Sequence, residues 1–147
     1  MALNFNSKGH LHETITLTYE ELEQHLATTP KRMELLKNVL PYFRIFHSCG
    51  CKTVYIGGSF VSKKNRPEDI DVCFDLSGVD KAKIRKVFPQ FYDINQRGRI
   101  RRDQMVHIFT LEKGNTELFD FLNTDRDDNL KGLVKIDLNQ LVYYDQK

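Results

Sequence analysis

With 147 residues, 40% of them apolar and 29% charged, the chain can bury one core, and its composition is neither disordered nor repetitive. A net charge of +2 argues against a general coat for nucleic acid and leaves room only for a local basic patch. No apolar run approaches the roughly 18 residues of a membrane span, the first residues lack a signal-peptide pattern, and Cys49, Cys51 and Cys73 are an odd set for a disulfide framework. A single cytoplasmic domain over residues 1–147 is therefore predicted, with no membrane partner.

In chain order, His10 and His12 share a strand-like spacing that suits either a metal or a surface terminus. Thr18-Tyr19-Glu20-Glu21 has the form of a capping box and opens a short helix ending near Leu26. Thr29 and Pro30 supply a cap and a first-turn proline for a second helix. Met33, Leu36, Leu40, Phe43 and Phe46 give it an apolar face, and Pro41 predicts a kink or a split. Cys49-Gly50-Cys51 offers at most two zinc ligands and no completing pair. His25 and His47 carry no readable role.

Residues 52–56 read as the first strand and 69–76 as the second, with Cys73 a small buried residue inside it. Asp80 caps a short helix stopped by Pro89. Residues 96–102, with Arg97, Arg99, Arg101 and Arg102, read as a basic loop or strand edge, which suits a triphosphate, RNA or simply solvent. Residues 105–111 read as a third strand, 117–122 as a fourth, less defined element, 123–131 as turns, and 132–144 as an alternating terminal segment. Asp125, Asp127 and Asp128 look like a calcium loop only superficially, because the expected glycine and distant glutamate are missing. A largely helical part (1–50) and a sheet-rich part (51–147) thus form one α+β domain, with helices mainly on one side of a small mixed sheet.

The most informative stretch is Val54-Tyr55-Ile56-Gly57-Gly58-Ser59-Phe60, followed ten residues after the serine by Asp69-Ile70-Asp71. Residues i and i+2 of a strand point to one face, so Asp69 and Asp71 would stand together as a pair able to hold a divalent cation. Glycines ahead of Ser59 let backbone amides approach an anion, and Ser59 could donate to a phosphate oxygen. Lys63, Lys64 and Arg66 lie in the intervening loop, within reach of a phosphate tail. Each element alone is common; their order and spacing together suggest metal-assisted chemistry on a nucleotide, with Mg²⁺ the first choice and Mn²⁺ an alternative.

These residues resemble the signature of the minimal nucleotidyltransferase fold shared with DNA polymerase beta. Over most of its length the chain is also similar to a group of small bacterial and mobile-element proteins of that fold. The stretches concerned are Thr18-Tyr19-Glu20-Glu21, Gly57-Gly58-Ser59-Phe60-Val61, Pro67-x-Asp69-Ile70-Asp71-Val72-Cys73, Asp120-Phe121-Leu122 and Lys131-Gly132-Leu133-Val134. The resemblance implies transfer of a nucleoside monophosphate from an NTP to a protein, RNA or small molecule. It also implies, alternatively, a catalytically degenerate module such as an antitoxin facing a toxin-like protein, or a phage-defence subunit. Active members of the fold add a third carboxylate on a neighbouring strand, where this chain has His107. Asp120 is the leading candidate for that acid, either turned toward the site from a strand or standing as a helix cap or surface charge, and Glu112 and Asp103 are weaker ones. The catalytic set is therefore Asp69, Asp71 and Asp120, with Gly57, Gly58, Ser59 and Lys63 on the nucleotide. RNA binding through the arginines is a third, weaker reading.

Overall fold

The computed structural model describes residues 3–112, 116–125, 127 and 129–141. Local signals build its first half. The capping box closes as expected: Thr18 Oγ1 accepts from the Glu21 amide at 3.1 Å and Glu21 Oε1 accepts from the Thr18 amide at 3.0 Å, opening α1 (Tyr19–Leu26). Thr29 caps α2 (Pro30–Ser48), which runs as one helix rather than splitting at Pro41. Pro41 and Lys37 both lie on the exposed face, so the carbonyl that loses its amide donor faces water. The buried face of α2 is Leu35, Leu36, Val39, Tyr42, Phe43 and Phe46, whereas Met33 is turned outward at 57% exposure.

Five strands form one sheet in the order β1-β5-β2-β3-β4: β1 (Ile15–Leu17), β2 (Thr53–Gly57), β3 (Ile70–Asp75), β4 (Val106–Leu111) and β5 (Val134–Asp137). β2 is antiparallel to both β3 and β5, while β3–β4 and β1–β5 are parallel. The parallel β3–β4 pair needs a long crossover. It is supplied by α3 (Lys81–Val87), a 3-10 turn (Pro89–Tyr92) and α4 (Ile94–Gln104). Asp80 caps α3 as the sequence predicts. α4 replaces the expected loop or strand edge because Asp93 caps it, its carboxylate accepting from the Asn95 and Gln96 amides. The uncertain fourth element is α5 (Glu117–Leu122), a helix and not a strand. β1 draws the N-terminal part into the sheet, and the sequence reading did not anticipate it.

The sheet's two faces are unequally covered. Val54, Ile56, Val72, Phe74, Val106 and Ile108 point into the main core with Leu22 of α1, the α2 face and Ile84 of α3. There Phe46 stacks on Phe74 with ring centroids 3.8 Å apart. The opposite face carries a small cluster, Cys73, Phe109, Leu122 and Leu133, against which Tyr55 and Phe119 pack. Among the described residues, helices thus lie mainly on one side, with α5 on the other. No helix among the described residues is long and apolar enough to cross a membrane.

Candidate functional site

Strand alternation leaves the thinly covered face with the polar residues that the core side cannot accept. Gly57 on β2, Asp71 on β3 and His107 on β4 lie in one row across three strands, because the register pairs Gly57 with Asp71 and Asp71 with His107. Asp69 immediately precedes β3 and joins Asp71, as the i, i+2 rule requires. Asp69, Asp71 and His107 each offer one ligand atom, and the three atoms lie within 4.8 Å of one another, a spacing that one divalent ion can bridge. His107 Nδ1 is 3.3 Å from Asp71 Oδ1. That oxygen is nevertheless buried without a hydrogen-bond partner.

Asp69 is held by Arg101 of α4, whose Nε lies 3.3 Å from Oδ2. Burial pushes the Asp69 carboxyl above the ordinary carboxylate range, the charge of Asp71 pushes it further, and Arg101 pulls it partly back. The arginine cluster therefore divides its work. Arg97 turns inward, stacks over Phe91 at 4.8 Å and donates to the Ile108 carbonyl at 2.6 Å, pinning α4 to β4. Arg102 pairs with its neighbour Asp103 at 3.2 Å.

The glycine turn abuts the acids. Gly58 adopts φ +68 and begins a 3-10 turn (Gly58–Val61), and a Cβ built on it would lie 2.2 Å from Asp71 Oδ2. Only glycine fits both constraints. The turn is fixed from behind by Arg32 of α2, a residue the sequence reading passed over. Arg32 is 4% exposed and donates to the carbonyls of Leu26, Phe60, Ser62 and Lys64, so the 59–64 loop wraps one buried guanidinium.

In front of the turn lies a cavity of about 510 Å³ lined by Gly58, Ser59, Ser62 and Asp71, and by Lys8, His10, Lys63, Lys64 and Lys131. The sequence points to Lys63 and Lys64 here and offers His10 only as a metal ligand or surface residue; Lys8 and Lys131 carry no such signal, and distant segments bring all three to the rim. An antiparallel bridge between His10 and Ser62 holds the N-terminal segment there. Lys8 pairs with Asp125 at 3.2 Å and with Asp127, while Lys63 sits 5.9 Å over the Phe5 ring. Burial lowers the pKa of His10, and its Nδ1 is buried with no partner.

The remaining candidates stay outside this group. Asp120 is exposed on α5 and accepts from the Thr116 hydroxyl at 3.0 Å, in keeping with the surface-charge alternative rather than a strand residue turned to the site. Glu112 pairs with Lys81, and Asp103 with Arg102. The three cysteines are free and buried, and the Cys51 thiol lies 3.3 Å from the Thr53 and Asp75 carbonyl oxygens. Asp125 accepts from the Asp127 and Asn129 amides in a turn, as expected.

No curated protein and no solved structure is significantly similar to the chain. A family profile does match residues 3–137, a span that includes every residue of the group and of the cavity rim. The chain belongs to that family, described as a family of unknown function (DUF6932).

Proposed function

We propose that this chain is a metal-dependent nucleotidyltransferase. The observation that carries the reading is the adjacency of two features on one sheet face: the Asp69–Asp71–His107 group and the lysine-rimmed cavity into which Asp71 and Gly58 both open. A cation held by Asp69 and Asp71 would neutralise charge on the phosphoryl oxygens and help align the attacking and leaving groups.

The protein groups supply binding and orientation. Gly58 lets the phosphates approach the backbone and the Ser59 hydroxyl donates to a phosphate oxygen, whereas Gly57 is buried beneath Leu122 and Leu133 and lies outside the cavity. Lys63, Lys64 and Lys131 offset the charge of the β- and γ-phosphates. An acceptor nucleophile attacks the α-phosphorus, its new bond to phosphorus forms as the α–β bridging P–O bond breaks, and pyrophosphate leaves. The acceptor's proton passes to water.

The test is calorimetric titration with ATP, GTP, CTP and UTP in the presence of a divalent cation, for the wild type and for Asp69→Ala/Asp71→Ala, followed by transfer of α-labelled nucleotide to candidate acceptors. Binding of at least one nucleotide that the double variant loses is expected. Equal behaviour of the two proteins would sink the assignment.

A second reading has its own observation. Asp120 is not in the group and Arg101 already engages Asp69, as in a module that kept the fold and gave up turnover. Under that reading the protein partners another chain of toxin-like character. Co-purification of a stoichiometric partner, with no nucleotide incorporated into any acceptor, distinguishes it.

A further inference from the structure

Resting on the reading that Asp69 and Asp71 hold a cation, we infer that His107 is a direct ligand and that the site selects a transition-metal dication over Mg²⁺. Three observations converge. The register of β3 and β4 sets His107 beside Asp71 on the same sheet face, and a backbone pairing of this kind does not depend on side-chain rotamer. The gap between His107 Nδ1 and Asp71 Oδ1 is 3.3 Å, yet that oxygen is buried without a hydrogen bond. An Asp–His pair that had simply neutralised itself would aim the N–H at the oxygen and satisfy it. Here the two atoms stand side by side, as ligands around a common centre do. Bonds of about 2.0–2.1 Å in tetrahedral or octahedral geometry put neighbouring ligand atoms about 2.9–3.4 Å apart.

The donor set then names the class of metal. Mg²⁺ is a hard ion that takes oxygen and keeps its waters, so an imidazole in the ligand shell works against it. Ions of the Mn²⁺ to Zn²⁺ series accept nitrogen and oxygen together, with carboxylates favouring the Mn²⁺ end and imidazole the Zn²⁺ end. Two carboxylates and one imidazole leave positions open for phosphate oxygens and water. The His107 and Asp71 side chains are 29% and 18% exposed, so the pair lies close to the surface although Asp71 Oδ1 itself is covered.

Mn²⁺ is the probe, read by electron paramagnetic resonance on the full chain. Wild type is expected to bind Mn²⁺ at least about tenfold more tightly than Mg²⁺ by competition, and its spin-echo spectrum to show nitrogen coupling from an imidazole. His107→Asp should remove the nitrogen signal and bring the Mn²⁺/Mg²⁺ ratio close to one. His107→Ala should weaken Mn²⁺ by about tenfold or more and leave Mg²⁺ nearly unchanged. Far-ultraviolet circular dichroism confirms that each variant is folded. Mn²⁺ bound without nitrogen coupling, or a ratio that His107→Asp does not move, would overturn the inference and leave the Asp69/Asp71 assignment standing. Absence of binding by either ion in wild type would overturn both.

Discussion

Gly58→Ala tests whether the turn and the acids form one unit. The new methyl would stand 2.2 Å from Asp71 Oδ2 and 3.0 Å from its Cγ, so the carboxylate has to withdraw. The retreat to ordinary contact is roughly 1 Å. Asp71 is held by pairing to Gly57 on one side and to His107 on the other, so the adjustment falls on its side-chain torsions. An off-rotamer carboxylate costs about 0.5–1.5 kcal/mol, and an alanine at positive φ about 1–2 kcal/mol. The smaller conformational freedom of the unfolded chain returns about 0.4–1 kcal/mol. A net loss of about 2 kcal/mol corresponds to a fall in Tm of about 4–8 °C for a chain of this size.

The functional loss should be larger than the thermal one. A reacting geometry displaced by about 1 Å loses roughly a hundredfold in rate, and Mn²⁺ affinity should fall with it. Gly98→Ala is the control: Gly98 sits within α4 with nothing within 4 Å of its would-be Cβ. That substitution should raise stability by up to about 1 kcal/mol and leave the cation untouched. Differential scanning fluorimetry and Mn²⁺ titration on both variants decide the matter. A Gly58→Ala protein that melts lower but binds Mn²⁺ within about twofold of wild type would refute the coupling of turn to site.

Arg32→Met should cost about 3 kcal/mol in urea unfolding, because three carbonyls of the 59–64 loop and that of Leu26 at the end of α1 lose a buried donor. Arg32→Lys should recover little of it, since one ammonium cannot span the fork. Burial pushes the Cys51 and Cys73 thiols up to about 12; neither should react with a disulfide reagent at pH 8 in the native protein, and all three cysteines should react in denaturant. Fast native labelling of Cys73 would show that the small cluster under α5 opens. Asp69, whose folded pKa is raised, contributes stability that is complete below the ordinary carboxylate range and is lost as pH rises through its own titration. The Tm gain from added Mn²⁺ should therefore grow with pH across that window, and a gain that is flat or falls with pH contradicts the role given to Asp69.

The parts legible in the sequence are those set by neighbours in the chain. Thr18 and Glu21, Thr29 with Pro30, and Asp80 act within one helical turn, and their caps form as the residue types dictate. Asp69 and Asp71 meet because the strand period is two. Three features escape such a reading, two of them because their partners lie far away in sequence. β1 spans only Ile15–Leu17 and exists through its parallel pairing with β5. α4 has no apolar stripe to announce it, and it is fixed by a cap at Asp93 and by Arg97 against Phe91 and Ile108. The cavity rim draws Lys8, His10 and Lys131 from opposite ends of the chain. His107 was visible as a polar residue within an apolar strand, but its role depended on which strand β4 would join.

The electrostatics of the site follow from how little covers it. Two carboxylates on one sheet face repel each other and lose solvation, a cost that the fold offsets with Arg101 at Asp69. That offset is incomplete. The Asp69 carboxyl stays raised despite the guanidinium, and Asp71 Oδ1 stays without a hydrogen bond despite the imidazole. A structural ion pair is ordinarily complete, because an unmet buried oxygen costs about 1–3 kcal/mol. Keeping this one unmet beside a cavity of about 510 Å³ rimmed by lysines leaves the acids poised for positive charge that the protein itself does not provide. A divalent cation arriving with an anionic ligand would supply that charge at the acids and take up the lysines at the rim in the same event.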